Sequence, residues 1–214
     1  MISRRQFLKD AAIALAGVTL GALTINASCK GDAKKTSNTK DPYDLSYLKY
    51  ANPATADNSG LPVSPINKLF VFGETAPNVS LVDFKLRIYG LVDNPLEIAY
   101  KDFQKYDRLS RVALLICPDA GADNPEWSGV LLSTLLKVVV VKPEANGIDF
   151  HSVTGTIRHI NLNDSHFGDV FIADKVDGVA LPADNGFPLR LVQPHVKGAE
   201  WLKWLNGIEL ISRS

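Results

Sequence analysis

Hydrophobic and polar positions change rhythm several times along the chain. Ala11 to Ala27 is an apolar run behind the basic Arg4, Arg5 and Lys9, and from Lys30 to about Pro62 apolar residues are scattered among Lys, Ser, Thr, Asn, Asp, Pro and Gly. Beyond residue 62 the periods are those of folded elements. Leu69 to Phe72 (LFVF) reads as a short apolar strand. Phe84, Leu86 and Ile88, alternating with Lys85, Arg87 and Tyr89, read as a half-buried one. Gly90 and Asp93-Asn94-Pro95 then turn the chain. Tyr100 to Tyr106 suits a helical turn, Val112 to Ile116 a buried strand with Cys117 at its end, and Leu131 to Leu136 a short helix. Further strands are expected at Ile148 to Val153, Ile157 to Leu162, Val170 to Ala173, Leu189 to Val192 and Ile208 to Ile211. Asp177-Gly178 is a hairpin signal between apolar flanks. Together these predict an α+β fold, a mixed β-sheet domain with short peripheral helices.

Composition narrows the class. The 214 residues are 46% hydrophobic and 21% charged, which argues against bulk disorder and against a multi-span membrane protein. Lys plus Arg and Asp plus Glu each number 23, so no global field attracts a polyanion, and no nucleic-acid partner is expected. The 2 cysteines, Cys29 and Cys117, exclude a disulfide-rich scaffold and a zinc site built of cysteines alone.

The first 28 residues read as an address. The apolar stretch is 17 residues long and is diluted by Thr19, Thr24 and Asn26, whereas a spanning helix needs about 20. SRRQFLK resembles the twin-arginine signal, a route for proteins exported already folded, often around a cofactor; an ordinary secretory signal carrying two arginines is the alternative. Asn26-Ala27-Ser28-Cys29 resembles a lipoprotein processing site, with Asn26 where that motif prefers Leu. Removing residues 1–28 takes away Arg4, Arg5 and Lys9 against Asp10 and leaves a charge of about −2. The expected organisation is therefore an export signal over 1–28, a polar tether over 29–62 lipidated at Cys29, and one domain over 63–214. The Tyr43 to Tyr50 patch of the tether is a candidate for docking on the domain. The expected location is the periplasm or cell envelope, with membrane contact through a lipid anchor or a partner only.

Cys117 closes the apolar run RVALLI and opens the turn-forming PDAGADNP, where strands commonly present functional groups. Taken alone it reads either as a small buried hydrophobe or as a reactive thiol. His151, His159, His166 and His195 lie in no recognisable catalytic or zinc-binding signature.

Four ordered blocks resemble the sulfite-oxidase-like molybdopterin-dependent oxidoreductases, in particular the small periplasmic members typified by the methionine-sulfoxide reductase catalytic subunit. They are INKLFVFGE; LRIYGLVDNPLEIAYKDF; RVALLIC with WSGVLLSTLL ten residues later; and DGVALPADNGFPLRLVQPHVKGAEWLKWLNGIEL. The resemblance covers about residues 66 to 211. It implies a molybdenum-molybdopterin cofactor, with Cys117 as the thiolate ligand to molybdenum. Asn67, Asn185, Gly198 and Lys203 fall on cofactor-contacting positions, Arg190 on a phosphate clamp and Ser152 on a further polar contact, while Gly73 matches a turn glycine and Trp204 a packing position. Thiolate is a soft, strongly donating ligand, and a planar guanidinium that keeps its charge suits a phosphate.

The chain also departs from that pattern. Sulfite oxidases carry an arginine soon after the ligand cysteine, where this chain has Pro118 to Asp123, so sulfite oxidation is disfavoured unless an arginine arrives from elsewhere. Glu200 replaces a basic residue and Ile66 an aromatic one, and the chain ends at Ser214 without the dimerisation domain many sulfite oxidases append. Asp119, Asp123 and Glu126 predict a pocket hostile to anions. The expected activity is two-electron oxygen-atom transfer that reduces a sulfoxide-like, small-molecule or protein-bound oxo substrate. Electrons would be exchanged with a separate membrane-bound haem- or quinone-linked partner, since the chain has no Cys-x-x-Cys-His motif. The competing class is a cofactor-free envelope binding module of the same fold.

Overall fold

The computed structural model describes residues 40–213; the expected export signal, Cys29 and the first part of the expected tether lie outside the described residues. Among the described residues twelve strands and two α-helices follow in chain order: β1 (Lys85–Gly90), β2 (Leu96–Ala99), α1 (Tyr100–Phe103), β3 (Leu109–Val112), β4 (Leu115–Cys117), β5 (Gly121–Asp123), β6 (Glu126–Leu131), α2 (Leu132–Val139), β7 (Gly147–Ser152), β8 (Ile157–Asn161), β9 (Phe171–Val176), β10 (Val179–Ala180), β11 (Arg190–Val192) and β12 (Leu205–Ile211). The first sheet has the order β2-β1-β12-β7-β8. Its β1 and β12 are parallel and its other pairs antiparallel, which makes it mixed as the pattern predicts. The second, antiparallel sheet runs β10-β9-β6-β3 with β11 also on β9, and β4 and β5 form a small ribbon.

Alternation explains β1. Leu86 and Ile88 are fully buried while Lys85 and Arg87 are exposed, so one face joins the core and the other meets solvent. In α2, Leu132, Leu135, Leu136 and Val139 repeat at the spacing of one helical face, and all four are buried in the cluster that includes Ile148, Phe150, Ile208 and Leu210 of the first sheet. Burying each such side chain is worth about 1.5–3 kcal/mol. The hairpin signal is also realised: Asp177 and Gly178 both have positive φ, and Val176 pairs with Val179 across the turn.

β6 carries no clear strand signature, because small residues replace the expected branched ones. Gly129 explains one of them: a Cβ there would lie 1.9 Å from the Ile172 carbonyl oxygen, so β6 approaches β9 closely beside the register shift between Ser128 and Gly129.

Three expectations need correction. Residues 69–72 form no strand, because their backbone groups are taken elsewhere: the Phe70 N–H donates to the Asp123 carboxylate, the Phe70 carbonyl accepts from Asn185 and the Phe72 carbonyl accepts from Lys203. The Val112–Ile116 strand is interrupted at Ala113 and Leu114; the Ala113 N–H donates to the Pro125 carbonyl and its own carbonyl accepts from the Trp127 indole. Residues 40–62 belong to the same compact unit as the rest of the domain, so tether does not describe them. Leu45 is buried against Leu114, Ile116 and Ala122, with Leu48, Ala51, Ala56 and Leu61 packed around this cluster beneath the β4–β5 ribbon. Asn58 and Ser64 bind Asn124, and Lys197 donates to the Ala51 carbonyl. The Tyr43–Tyr50 patch docks through Leu45 and Leu48, while Tyr47 and Tyr50 stay exposed.

Candidate functional site

A cavity of about 520 Å³ opens beside the ribbon that presents Cys117. Cys117 ends β4, opposite Gly121 of β5, and its free thiol side lines the cavity while the residue is buried. Arg190 starts β11, Asn185 precedes it in the 3-10 turn Ala183–Asn185, and both reach the same cavity, as do Gly198 and Lys203. Residues up to 86 positions apart in sequence thus converge.

Arg190 is only 5% exposed. One terminal nitrogen donates to the Asn185 carbonyl at 2.9 Å, and its guanidinium lies 5.1 Å from the Trp127 ring centre and 5.7 Å from that of Trp201. Its Nε has no partner among the described residues and is fully buried. Burial pushes its pKa down to about 10, against the opposing pull of Asp123, so it stays charged at neutral pH. A buried cation with an idle donor at a cavity wall is costly unless an anion meets it. Lys203 adds a second cation. Its ammonium donates to the Phe72 and Asp184 carbonyls and sits 4.4 Å over the Trp204 ring, and burial first, then Arg190, lowers its pKa.

Two glycines allow close packing at this corner. A Cβ on Gly198 would lie 2.8 Å from Leu115 Cδ1, and Gly186, at φ +112, faces Arg190 and Lys203. Gly73 turns the chain at φ +89 on the cavity wall, and Trp204 packs there, its indole donating to the Ala183 carbonyl.

The site differs from the sequence expectation in several respects. Asn67 is exposed on the 3-10 turn Ile66–Lys68 and does not line the cavity. Ser152 lies behind the wall, its hydroxyl accepting from the Thr156 N–H and bonded to Thr154, so it orients two residues that do line it. Of the acidic trio only Asp119 lines the cavity. Asp123 is buried behind Phe70, its pKa raised to about 6 by burial despite the Phe70 N–H and the Arg190 charge, and Glu126 is engaged with the Asp177 turn. The wall is of mixed charge, because Arg158 and Lys197 join Asp119 and Glu200. Sequence reasoning missed Glu74, Thr154, Thr156 and Arg158. Glu74 accepts from Thr156 at 2.5 Å, and the Thr154 and Thr156 hydroxyls hold its pKa below the usual carboxylate range. Arg158 donates to the Ala199 carbonyl at 2.6 Å and faces Glu200 at 3.9 Å. It lies on the edge strand β8 opposite Phe150 of β7, a placement that no local pattern in the chain marks.

A soft thiol and two partly desolvated cations converging on one large cavity define a cofactor-binding domain suited to a sulfur-ligated metal and an anionic organic group. The chain belongs to the family described as the oxidoreductase molybdopterin binding domain, which its residues 73–214 match. The cofactor this implies is molybdenum-molybdopterin, and the residues present fit it: a thiol for the metal, and Arg190 Nε and Lys203 for a phosphate.

The chain is similar to an uncharacterized oxidoreductase, YuiH, of Bacillus subtilis, at 30% identity over 60% of this chain and 66% of that one. It is 26% identical to the sulfite oxidase of Arabidopsis thaliana over 82% of this chain and 53% of that one. A candidate protein-methionine-sulfoxide reductase subunit of Azospira oryzae, YedZ1, is 24% identical over 69% of this chain and 58% of that one. The crystal structure of the sulfane dehydrogenase SoxCD from Paracoccus pantotrophus shares the fold, with a TM-score of 0.66 at 24% identity over 83% of this chain and 50% of that one. The chain thus spans about two thirds or less of the length of these relatives.

Proposed function

We propose that this chain is an exported oxidoreductase that holds one molybdenum-molybdopterin and reduces a sulfoxide-like substrate by two-electron oxygen-atom transfer. The observation that carries the reading is the meeting of the Cys117 thiol and the Arg190 guanidinium, with its idle Nε, on one cavity. When bound, the cofactor supplies two-electron redox chemistry and an oxygen-accepting metal centre. Cys117 would donate its thiolate to the metal. Arg190 and Lys203 would hold the phosphate end, with Trp127 and Trp201 excluding water from the guanidinium so that its charge acts at low dielectric. Asn185 donates its amide to the Phe70 carbonyl and so fixes the Phe70–Phe72 wall, while Gly198 lets its turn pack closely on Leu115 and Ile116, next to Cys117.

The SRRQFLK signal and Cys29 support export to the periplasm or envelope with a lipid anchor, and a membrane haem- or quinone-linked chain would be the redox partner. Among the described residues no helix is long and apolar enough to cross a membrane. Mass spectrometry of the membrane-extracted mature protein should find a diacylated Cys29 as first residue; an unmodified N-terminus on either side of it refutes the anchor.

Arg158 favours a second reading, since an arginine does reach the cavity from β8 and could receive an oxyanion such as sulfite. Glu200 opposes that charge at 3.9 Å. Loaded protein assayed with methionine sulfoxide and a chemical reductant, and separately with sulfite and a chemical oxidant, decides between them: turnover of sulfite alone overturns the first reading.

A further inference from the structure

We propose that His166, Asp169 and His195 form a second metal site, away from the cofactor cavity, that takes one divalent transition ion of the zinc class. None of the three lines the cavity, and one ligand atom from each lies within 4.8 Å of the others.

The topology assembles them. β9 and β11 are antiparallel with Phe171 opposite Val192, so the loop that enters β9 and the loop that leaves β11 emerge at the same end of the sheet. The first carries His166 and Asp169 around the 3-10 turn Phe167–Asp169, and the second carries His195. His195 Nε2 is 3.4 Å from Asp169 Oδ2, and the two imidazoles lie face to face with centres 4.4 Å apart. His195 adopts φ 76, a left-handed conformation uncommon outside glycine, and this turn directs its ring at His166.

Asp169 is prepared as a ligand. Arg111 donates to its Oδ1 at 2.7 Å, leaving Oδ2 turned to the histidines, 3.4 Å from His195 Nε2. Such a partner behind a metal-binding carboxylate fixes its orientation. Two imidazole nitrogens and one carboxylate oxygen form a borderline-soft donor set that suits zinc or cobalt and not the hard, oxygen-seeking calcium or magnesium.

Tetrahedral bonds of about 2.0–2.2 Å require the ligand atoms to close from their present spacing, and the rings to rotate out of the stack until their lone pairs converge. His195 and Asp169 have side chains 35% and 39% exposed, so these rotations meet little packing. The fourth position would face solvent and hold water.

The test uses the mature protein carrying its cofactor, stripped of loose metal by a chelator and desalted. Zn²⁺ titrated by calorimetry should bind at one equivalent, Co²⁺ should give visible d–d bands, and Ca²⁺ should give no heat. His166→Ala and His195→Asn should each weaken Zn²⁺ binding at least ~10-fold, with His151→Ala unchanged. Asn tolerates the left-handed backbone at 195, and circular dichroism checks that each variant is folded. Absence of stoichiometric Zn²⁺ binding in the parent, or unchanged affinity in the folded His166→Ala and His195→Asn, overturns the proposal; so does equal loss in His151→Ala.

Discussion

Leu45→Ala probes whether residues 40–62 are part of the fold or a strap laid loosely upon it. Leu45 is 2% exposed and packs on Leu114, Ile116 and Ala122, directly beneath the ribbon that ends in Cys117. Truncating a buried leucine costs about 2–5 kcal/mol, and this small peripheral cluster can relax more than the main core, which puts the expected loss near 2–3 kcal/mol. For a domain of this size, 1 kcal/mol moves the melting temperature by about 2–4 °C, so the variant should melt about 4–12 °C lower. The pair Leu45→Ala and Ile116→Ala should be non-additive, because the two side chains share one cluster. Differential scanning calorimetry with chemical unfolding measures both. A loss below ~0.5 kcal/mol, the size of an ordinary surface change, would show that the segment contributes no packing and refute the reasoning.

Three further outcomes follow from particular contacts. Gly129→Ala should destabilise by about 3 kcal/mol or more, since its Cβ would enter the space of the Ile172 carbonyl; urea midpoints near the parent's would contradict the close approach of β6 and β9. Asp123 has a folded pKa of about 6, above the ordinary aspartate value of 3.8, so the folded state binds this proton more tightly and the group's contribution falls as pH rises from about 4 towards 7. The stability difference between the parent and Asp123→Asn should therefore shift by about 2 kcal/mol against the parent over that range, and a flat difference in parallel denaturation curves refutes it. Arg190→Lys loses the planar fork held between Trp127 and Trp201, and pterin occupancy, read by fluorescence after oxidation, should fall at least ~10-fold, the equivalent of one charged hydrogen bond. Full occupancy in that variant would separate Arg190 from the cofactor.

Much of the scaffold was legible because its signals are local. The alternation in β1, the helical spacing of Leu132 to Val139 and the Asp177-Gly178 turn each act within a few residues and reappear as read. The LFVF segment misleads because its composition is that of a strand while its hydrogen bonds go to Asp123, Asn185 and Lys203, partners distant in sequence. The Tyr43 to Tyr50 patch was legible as a docking segment within an otherwise polar stretch, but only the fold shows that Leu45 and Leu48 carry the contact and that Leu114, Ile116 and Ala122 receive them. At the site, Cys117, Asn185, Arg190, Gly198 and Lys203 were named from the resemblance and do converge on one cavity. Their convergence across three separate segments is a tertiary property with no period in the sequence. Arg158 and Thr156 escaped for the same reason: they enter from the hairpin of β7 and β8, and nothing in their neighbourhood in the chain points towards Cys117.

The central claim is that this cavity holds a molybdenum-molybdopterin through Cys117. Molybdenum per chain, measured by elemental mass spectrometry with pterin fluorescence on natively exported protein and on Cys117→Ala, tests it directly. The account predicts near-stoichiometric metal in the parent, and its loss or an altered spectroscopic signature in the variant. Metal-free, pterin-free and stably folded parent protein from a host that loads related enzymes would contradict it.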